Sequence, residues 1–387
     1  VATRTALKAL DTTKYTLAYL TEAGREGMFV WTSGNYSTQI TSDTLEGVYV
    51  KATAIASSAG AWVRRFSGPA LPQWFGAKAD GIFASDGAIT SGDQTFTSAS
   101  AAFTSADIGK MIKVGRAGTG SQTLVTTIAS INSATSVELT AAASTTASGA
   151  NYTYGTDDTS AITAAKTYCL SVKTTMGRGG TPLGFPYGRY CYTDIGNLAH
   201  SYFGVLALEA GVWLESFRTS SGPAVTMNGL SYDATYGSYR AVFGGAHPFN
   251  IRGTSYCSAI FYYNNIHWAE INLGNLRDGN IGVLGDKSGN AGSPGAAVGT
   301  RFKGPFIGHH DIDSFDAVPQ VAWYMTETYA CNIEYAQLEV SGSSAPTFGL
   351  YMATSNGNVF VGGTVESCLY GGAWITSTCS RNTFIGM

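Results

Sequence analysis

Carboxylates are scarce in this sequence, and they are concentrated towards its C-terminal end. Charged residues make up only 13% of the 387 residues. Paired carboxylates can supply the proton donor and the ionised partner that cleavage of a glycosidic bond requires. The acids that lie among aromatic and glycine-rich runs near the C-terminal end are therefore the first candidates for chemistry: Asp311, Asp313, Asp316, Glu327, Glu334, Glu339 and Glu366.

Two of these acids occupy equivalent places in similar segments. The run from Gln337 to Glu339 aligns with the later run from Thr364 to Glu366. If the two runs are neighbouring strands about 4.8 Å apart, their carboxyls approach the roughly 5 to 5.5 Å separation of retaining glycosidases, whereas pairing with a carboxylate across the groove would suit the wider inverting geometry. Repulsion between the carboxylates would raise one pKa and provide an acid. We predict Glu339 and Glu366 as catalytic residues, followed by Asp311 and Asp313; alternatively, the two glutamates face solvent or line a seam between subunits.

Aromatic and histidine side chains near these acids are candidates for binding a sugar. Aromatic rings pack against the C–H faces of sugars, and nearby polar groups bind the hydroxyls. Each aromatic has the alternative of lying in the core. The predicted substrate-binding residues are His267, Trp268, His309, His310, Trp323, Tyr324 and Tyr335.

Other kinds of function find little support. The net charge of −3 gives no basic field that would attract nucleic acid. The sequence has no run of about eighteen apolar residues, which a membrane-spanning helix would need. No metal-ligand or nucleotide-binding motif is apparent, although His309-His310-Asp311 with Asp313 could gather a cation. We predict no cofactor and no metal, and the widely spaced cysteines favour free thiols over a disulfide framework.

The order of patterns along the chain predicts four regions. Residues 1–73 and 82–155 contain short alternating runs between turn residues, which predict two small β modules separated by a distinct motif at 74–81. For the low-complexity segment 82–155, a disordered linker is the alternative. Residues 157–172 change to helical spacing, with Thr156, Asp157 or Asp158 as N-cap. The rest of 156–387 consists of short strands broken by Gly, Asn and Ser. We predict a long β array there, preceded by one helix.

Asparagines recur before apolar strands in this array. The segment from Asn265 aligns with that from Asn332, and Asn358 and Asn382 continue the series at nearly even intervals. The intervals from Asn332 to Asn358 and from Asn358 to Asn382 each match one turn of a solenoid. In such folds, stacked side-chain amides form hydrogen bonds with the backbone N–H and C=O groups of the turns. We therefore expect Asn332, Asn358 and Asn382 at one corner of stacked parallel strands from about 182 to 387. An antiparallel sandwich with coincidental spacing is the alternative.

Two motifs carry a resemblance to a known family. The run from Trp74 to Gly81 (WFGAKADG) and the run from Thr156 to Ile162 (TDDTSAI) resemble the opening signature of the pectate-lyase superfamily, with residues 82–155 inserted between its halves as in phage tailspike proteins. The resemblance implies an all-β fold: a right-handed, single-stranded parallel β-helix with small N-terminal β modules and a capping α-helix, assembled as a homotrimer. It transfers no catalytic residue. Gly76 and Gly81 would serve tight turns, while Asp157 and Asp158 would cap the helix.

Three functions follow from these residues and this resemblance. The first is an endo-acting depolymerase that hydrolyses a bacterial surface polysaccharide or exopolysaccharide with paired carboxylates. The second is a polysaccharide lyase, with His309, His310 or Tyr324 as base and Arg301 or Lys303 neutralising a uronate. The third is a fibre that binds host glycan without cleaving it. All three predict an extracellular protein, on a virion tail or secreted.

Overall fold

A computed structural model describes residues 1–172, 180–229, 238–286, 295–307, 320–339, 347–366, 368 and 371–386. The first elements are α1 (Arg4–Lys8), β1 (Leu17–Leu20), β2 (Gly27–Ser33), α2 (Ser37–Ser42), β3 (Tyr49–Val50) and β4 (Gly60–Arg65). The four strands form an antiparallel sheet in the order β1-β2-β4-β3, and this unit has a small core that includes Leu20, Phe29 and Trp62. A 3₁₀ turn at Pro72–Phe75 follows.

The second unit is a closed barrel of six antiparallel strands with its own apolar core. Alternating apolar residues in the Ser/Thr-rich sequence supply the inward-facing side chains. Two short 3₁₀ turns, Ser105–Asp107 and Thr119–Ser121, lie between strands. The strands are β5 (Ile82–Ile89), β6 (Thr95–Thr97), β7 (Met111–Val114), β8 (Leu124–Ser133), β9 (Ser136–Leu139) and β10 (Ala147–Gly155).

Helix α3 (Thr159–Ser171) follows the barrel and buries Ala161, Ile162, Ala165 and Cys169. These residues recur at helical spacing and belong to the same core cluster as the first strands after the helix. The helix therefore covers the start of the array, as its amphipathic sequence predicts.

The array after α3 consists of parallel strands. They are β11 (Leu183–Phe185), β12 (Arg189–Tyr192), β13 (Gly204–Ala207), β14 (Trp213–Ser216), β15 (Val225–Asn228), β16 (Ser238–Tyr239), β17 (Val242–Gly244), β18 (Phe249–Arg252), β19 (Phe261–Asn264), β20 (Ile266–His267), β21 (Glu270–Arg277), β22 (Ile281–Gly285), β23 (Ala297–Val298), β24 (Arg301–Lys303), β25 (Phe306–Ile307), β26 (Gln320–Thr326), β27 (Thr328–Tyr329), β28 (Asn332–Glu339), β29 (Thr347–Ala353), β30 (Val359–Glu366), β31 (Gly371–Ile375) and β32 (Thr383–Ile385).

These strands form three parallel sheets along the array. The main sheet has twelve strands, with β11-β13-β17-β21-β24-β28-β30-β32 as its continuous path. A six-stranded sheet has the order β15-β19-β22-β26-β29-β31, and a four-stranded sheet has the order β16-β20-β23-β27. Because successive turns of the chain, or rungs, add parallel strands to the same sheets, the fold is the parallel β-helix predicted from the sequence.

One corner of the β-helix repeats the same backbone geometry in successive rungs. The residue at this corner has a left-handed φ of 50° to 70°. Its backbone N–H donates to a carbonyl of the next rung at 2.8 to 3.1 Å wherever a next rung is described. We call this column the left-handed corner: Arg240, Trp268, Gly299, Ala330, Gly357 and Arg381.

The residues after the left-handed corner form a second column in which side-chain amides complete the backbone pairing. Oδ1 of Asn358 accepts from the backbone N–H of Cys331 at 3.0 Å, and Oδ1 of Asn382 accepts from that of Asn358 at 3.0 Å. An amide side chain thus satisfies an N–H that has to find a partner within the turn. The predicted stacking of Asn358 on Asn382 is confirmed.

The predicted place of Asn332 in that column is wrong by one residue. Asn332 pairs with Val359 rather than Asn358, and its amide donates to Glu334 at 2.8 Å. The alignment of Asn265 with Asn332 is also wrong, because Glu270 reaches the register of Asn332 through the intervening strand β24.

Two carboxylates join the halves of the opening signature. Asp158 accepts hydrogen bonds from the backbone N–H groups of Lys78 at 2.6 Å and Ala79 at 3.1 Å. Asp80 accepts from the backbone N–H of Thr156 at 2.8 Å and from its hydroxyl at 2.9 Å. These contacts hold the segment before the barrel against the segment after it.

The predicted roles of two signature residues need correction. Asp158 is the N-cap of α3 by position, but its side chain makes no capping bond because the backbone at 78–79 occupies both oxygens. Gly76, with a φ of 109°, fits the predicted turn role. Gly81 instead permits close packing, since a Cβ there would lie 2.8 Å from the Arg189 backbone oxygen and 2.9 Å from Sγ of Cys191.

A buried ion cluster attaches the barrel to the β-helix. Glu215, on β14, is fully buried, and its carboxylate lies 2.9 Å from Nζ of Lys113 on barrel strand β7 and also contacts Arg189. Burial would raise the pKa of Glu215, but Lys113, Arg252 and Arg189 together lower it. Nζ of Lys113 also donates to the carbonyl of Ser216 at 2.9 Å. The paired charges and these additional hydrogen bonds satisfy a carboxylate that burial alone would disfavour.

The first prediction concerns the left-handed corner. Gly299→Ala should lower the thermal unfolding midpoint more than Gly357→Ala. Both glycines have left-handed φ, 60° and 70°, so each substitution costs on the order of 1 kcal/mol in backbone strain. Only at Gly299 would the new Cβ also meet the Trp268 ring, at 2.6 Å; at Gly357 the nearest atom lies 3.9 Å away. Equal midpoints for the two variants, measured by differential scanning fluorimetry, would contradict this packing.

The second prediction concerns Asp158. Asp158→Asn places an amide donor against a backbone N–H and should cost about 1–3 kcal/mol, more than the control Asp157→Asn at the exposed neighbouring position. Burial, with Asp80 and Asp157 nearby, raises the pKa of Asp158 to about 7. The folded protein therefore holds this proton more strongly than the unfolded chain. The stability advantage of the wild type over Asp158→Asn, measured by urea unfolding, should shrink as the pH rises from the ordinary aspartate pKa towards this raised one; an advantage that grows over this range would contradict the shift.

Candidate functional site

A row of aromatic side chains runs along the outer face of the six-stranded sheet. Tyr324 pairs with Tyr351 on the next strand, and Tyr351 pairs with Trp374 on the one after. The residues before the two tyrosines, Trp323 and Leu350, are fully buried. Because side chains alternate between the faces of a strand, the row faces outward. We call Tyr324, Tyr351 and Trp374 the aromatic stripe.

The rings of the stripe are stacked along the β-helix. The centroids of Tyr324 and Tyr351 are 4.6 Å apart and their planes differ by 8°. Trp374 lies 6.4 Å from Tyr351 at 42°, and 53% of it is exposed. The stack buries ring faces between the tyrosines and leaves edges towards solvent. The tilted indole is the ring best placed to stack on a ligand.

The phenol of Tyr324 is held in its neutral form. Burial, the neighbouring Tyr351 and the carboxylate of Asp286 raise its pKa above the ordinary value. Asp286 directly follows β22, whose Leu284 occupies the same row as Tyr324. A neutral phenol acts as a hydrogen-bond donor and acceptor at physiological pH, and it is a poor general base.

Two of the predicted substrate-binding residues lie in the interior. Trp323 is fully buried and packs edge-to-face on Phe302, with centroids 5.2 Å apart. His267 is 2% exposed, and burial lowers its pKa. A glycan bound on the surface cannot reach either side chain. The error at Trp323 has a simple cause, because Trp323 and Tyr324 are adjacent in sequence and only one of them can face outward.

Two other predicted binding residues are exposed, but they lie apart from the stripe. Trp268, at the left-handed corner, is 59% exposed, and its ring covers Gly299. Tyr335, on main-sheet strand β28, is 72% exposed and has a φ of 58°. Its ring lies against Gly362 on the next rung. Each is a single ring over a glycine, whereas Tyr324 belongs to a row.

The two leading catalytic candidates occupy neighbouring strands in register. Glu339 at the end of β28 pairs with Glu366 at the end of β30, as the alignment of their segments predicts. Their backbones are described and their side chains are not. His309, His310, Asp311 and Asp313 lie outside the described residues. The catalytic and binding roles of all these residues stay predictions.

A cation considered for binding a uronate is already engaged. Nε and Nη2 of Arg301 donate to the two carboxylate oxygens of Glu334 at 2.9 and 2.8 Å. This bidentate contact is the main reason that the pKa of Glu334 is lowered. Arg301 is therefore not a free cation for a substrate carboxylate.

The sequence interpretation missed Tyr351 and Trp374. A signal for Tyr351 was present, since Trp323-Tyr324-Met325 resembles Leu350-Tyr351-Met352 further along the chain. The interval between these two segments is the same as the one between Glu339 and Glu366. Trp374 had no comparable signal, because its segment, Gly-Gly-Ala-Trp-Ile, shares only the aromatic position.

The chain is similar to solved structures at low sequence identity. It resembles a tailspike protein of Acinetobacter baumannii phage AM24 over 100% of this chain and 54% of that one, with 13% identity and a TM-score of 0.48. It also resembles ORF18 of Geobacillus virus E2, over 59% of this chain and 58% of that one (16% identity, TM-score 0.29), and the tailspike gp61 of Pseudomonas phage phi297, over 80% and 58% (10% identity, TM-score 0.18). This chain thus spans little more than half the length of each.

No protein-family model matches the chain, and no curated protein matches it. The pectate-lyase resemblance therefore rests on the two quoted motifs alone. Within the described residues, no helix has the length and apolar character needed to span a membrane.

Proposed function

We propose that this chain binds a bacterial surface polysaccharide or exopolysaccharide along the aromatic stripe and cleaves it as an endo-acting glycosidase. The stripe is the observation that carries the binding half of the proposal. Three neighbouring rings on one outer face offer apolar edges, two phenol groups and an exposed indole. This combination suits sugars, which present C–H faces together with hydroxyls.

Glu339 and Glu366 support the cleavage half. Their strands are direct neighbours, and the spacing of about 4.8 Å between such strands is near the carboxyl separation of retaining glycosidases. In the proposed reaction one glutamic acid protonates the leaving glycosidic oxygen. The other attacks the anomeric carbon, and water then hydrolyses the glycosyl-enzyme ester. Repulsion between the two carboxyls would keep one protonated for the first step.

Hydrolysis fits the described residues better than the lyase alternative. A lyase needs a base for the C5 proton and a cation for the uronate carboxylate. Among the candidates the structure describes, Tyr324 has a raised pKa and Arg301 is paired with Glu334. Both features work against β-elimination, and the exposed Lys303 is the described candidate cation that remains for a uronate.

Assembly and location belong to the same proposal. The resemblance to phage tailspikes in the opening signature favours a homotrimer placed outside the cell, on a virion tail or secreted.

The third prediction tests the stripe. Tyr351→Ala and Trp374→Ala should each weaken binding of a responsive bacterial polysaccharide by about tenfold, because one aromatic contact contributes about 1–1.5 kcal/mol. Trp268→Ala and Tyr335→Ala are matched controls, exposed rings away from the stripe, and should bind normally. Affinities would be measured by biolayer interferometry against a panel of capsular polysaccharides and lipopolysaccharides. Loss of binding in the controls alone would move the site away from the stripe.

The fourth prediction tests the acid pair. Glu339→Gln and Glu366→Gln should each lower cleavage at least about a hundredfold without loss of binding, since Gln can neither donate a catalytic proton nor act as nucleophile. Glu334→Gln, on the same strand as Glu339, is the matched control and should keep the wild-type rate.

Mass spectrometry of the fragments, with ultraviolet detection of unsaturated ends, distinguishes the outcomes. Wild-type rates in both variants would exclude these acids and direct attention to Asp311 and Asp313. Unsaturated products would identify a lyase. Binding of intact glycan by the wild type, with no fragments at all, would identify a binding protein.

A further inference from the structure

The sheet that carries the aromatic stripe has no charged residue in any of its six described strands. The strands are Val225–Asn228, Phe261–Asn264, Ile281–Gly285, Gln320–Thr326, Thr347–Ala353 and Gly371–Ile375, and none contains Asp, Glu, Lys or Arg. Charged residues are scarce in this chain, but the main sheet has several, including Glu270, Arg301 and Lys303. The surface around the stripe is thus apolar and hydroxyl-rich.

Among the described residues, the charge that directly adjoins this sheet is negative. Asp286 directly follows β22, and its backbone N–H donates to the carbonyl of Tyr263 at 3.3 Å, which fixes it at the edge of the sheet. Its carboxylate contributes to the raised pKa of Tyr324, so its field reaches the stripe. In sequence, Lys287 follows Asp286, whereas the connections that lead into β26, β29 and β31 contain three aspartates and neither Lys nor Arg.

The described cations of the neighbouring rungs lie outside this sheet, with Arg381 at the left-handed corner and Arg301 and Lys303 on main-sheet strand β24. Arg301 and Lys303 are in register with Asn332 and Glu334, several residues before Glu339 at the end of β28, and Arg301 is bonded to Glu334 through both carboxylate oxygens. A bound uronate, phosphate or pyruvate group would lose water without gaining in return a cation from the described residues of this sheet. It would also be repelled by Asp286, which lies two residues beyond Leu284, the partner of Tyr324 on the neighbouring strand.

We propose that the stripe accepts an uncharged glycan and that Asp286 is a specificity-determining residue that disfavours acidic ones. This inference rests on the proposed glycan-binding function and names its substrate class. An uncharged chain fits the site because hydroxyls bind phenol groups without the desolvation cost of a carboxylate. A substrate without uronate also lacks the acidic C5 proton that β-elimination removes, which agrees with hydrolysis.

The test compares each acidic polysaccharide with its own neutral form. Uronate-containing capsular polysaccharides would be used as isolated and after carbodiimide–borohydride reduction of their carboxyls to hydroxymethyl groups. Biolayer interferometry with the whole chain should show the reduced form binding roughly three- to tenfold more tightly per acidic sugar engaged, an effect expected for one unpaired charge near the surface. The difference should narrow in about 0.5 M NaCl, where the screening length falls to roughly half of its physiological value.

Asp286→Asn should bind the acidic forms more tightly and leave the neutral forms unchanged. Glu270→Gln, an exposed acid on the main sheet, is the matched control and should change neither. Tighter binding of the acidic parent, still dependent on Tyr351, overturns this inference and leaves the proposed function standing. If Tyr351→Ala does not weaken binding, or if neither the acidic nor the reduced polysaccharide binds, both this inference and the proposed function are overturned.

Discussion

The left-handed corner is the constraint on which the rest of the β-helix depends. A non-glycine residue in this conformation costs on the order of 1–3 kcal/mol, and four of the six corner residues are not glycine. The rungs accept this cost because the corner aims each N–H at a carbonyl of the next rung, whereas a buried turn with unpaired N–H groups would cost a comparable amount. Backbone pairing therefore decides where the chain turns.

A fixed corner allows the rungs to differ in length without losing register. The intervals between successive corner residues are longest on either side of Gly299 and shortest between Gly357 and Arg381. The sequence intervals between residues of the row that contains the stripe are less even. The number of residues from Leu284 to Tyr324 is about half as large again as the number from Tyr324 to Tyr351. The extra residues lie in connections between strands, so the outward row stays aligned. Function can thus be built on neighbouring rungs whose sequences have no common period.

These features explain what the sequence could and could not predict. The opening signature is a local pattern and indicated the fold, and the pairing of Glu339 with Glu366 lay in two uninterrupted strands, where a simple alignment found it. The left-handed corner itself was invisible, since Arg, Trp, Gly and Ala share no property that predicts a positive φ. The predicted binding set included the buried Trp323 beside the outward-facing Tyr324 because a shift of one residue in a strand exchanges the buried face for the exposed one. Only the registers of β26 with its neighbours separate Trp323 from Tyr324, by placing Trp323 between Val283 and Leu350 in the core.

The aromatic stripe is assembled from several rungs, and this affects how it can bind a ligand. Tyr324 and Tyr351 lose most of their rotamer freedom by stacking on each other during folding, so a ligand does not have to order them. With no charge in the described strands of the sheet, each contact with a sugar is weak, and affinity has to accumulate over several rungs. A long repeating glycan meets this requirement, because it can engage Tyr324, Tyr351 and Trp374 at once. The same arrangement would hold a single monosaccharide poorly, which is why an extended polymer is the ligand that this surface suits.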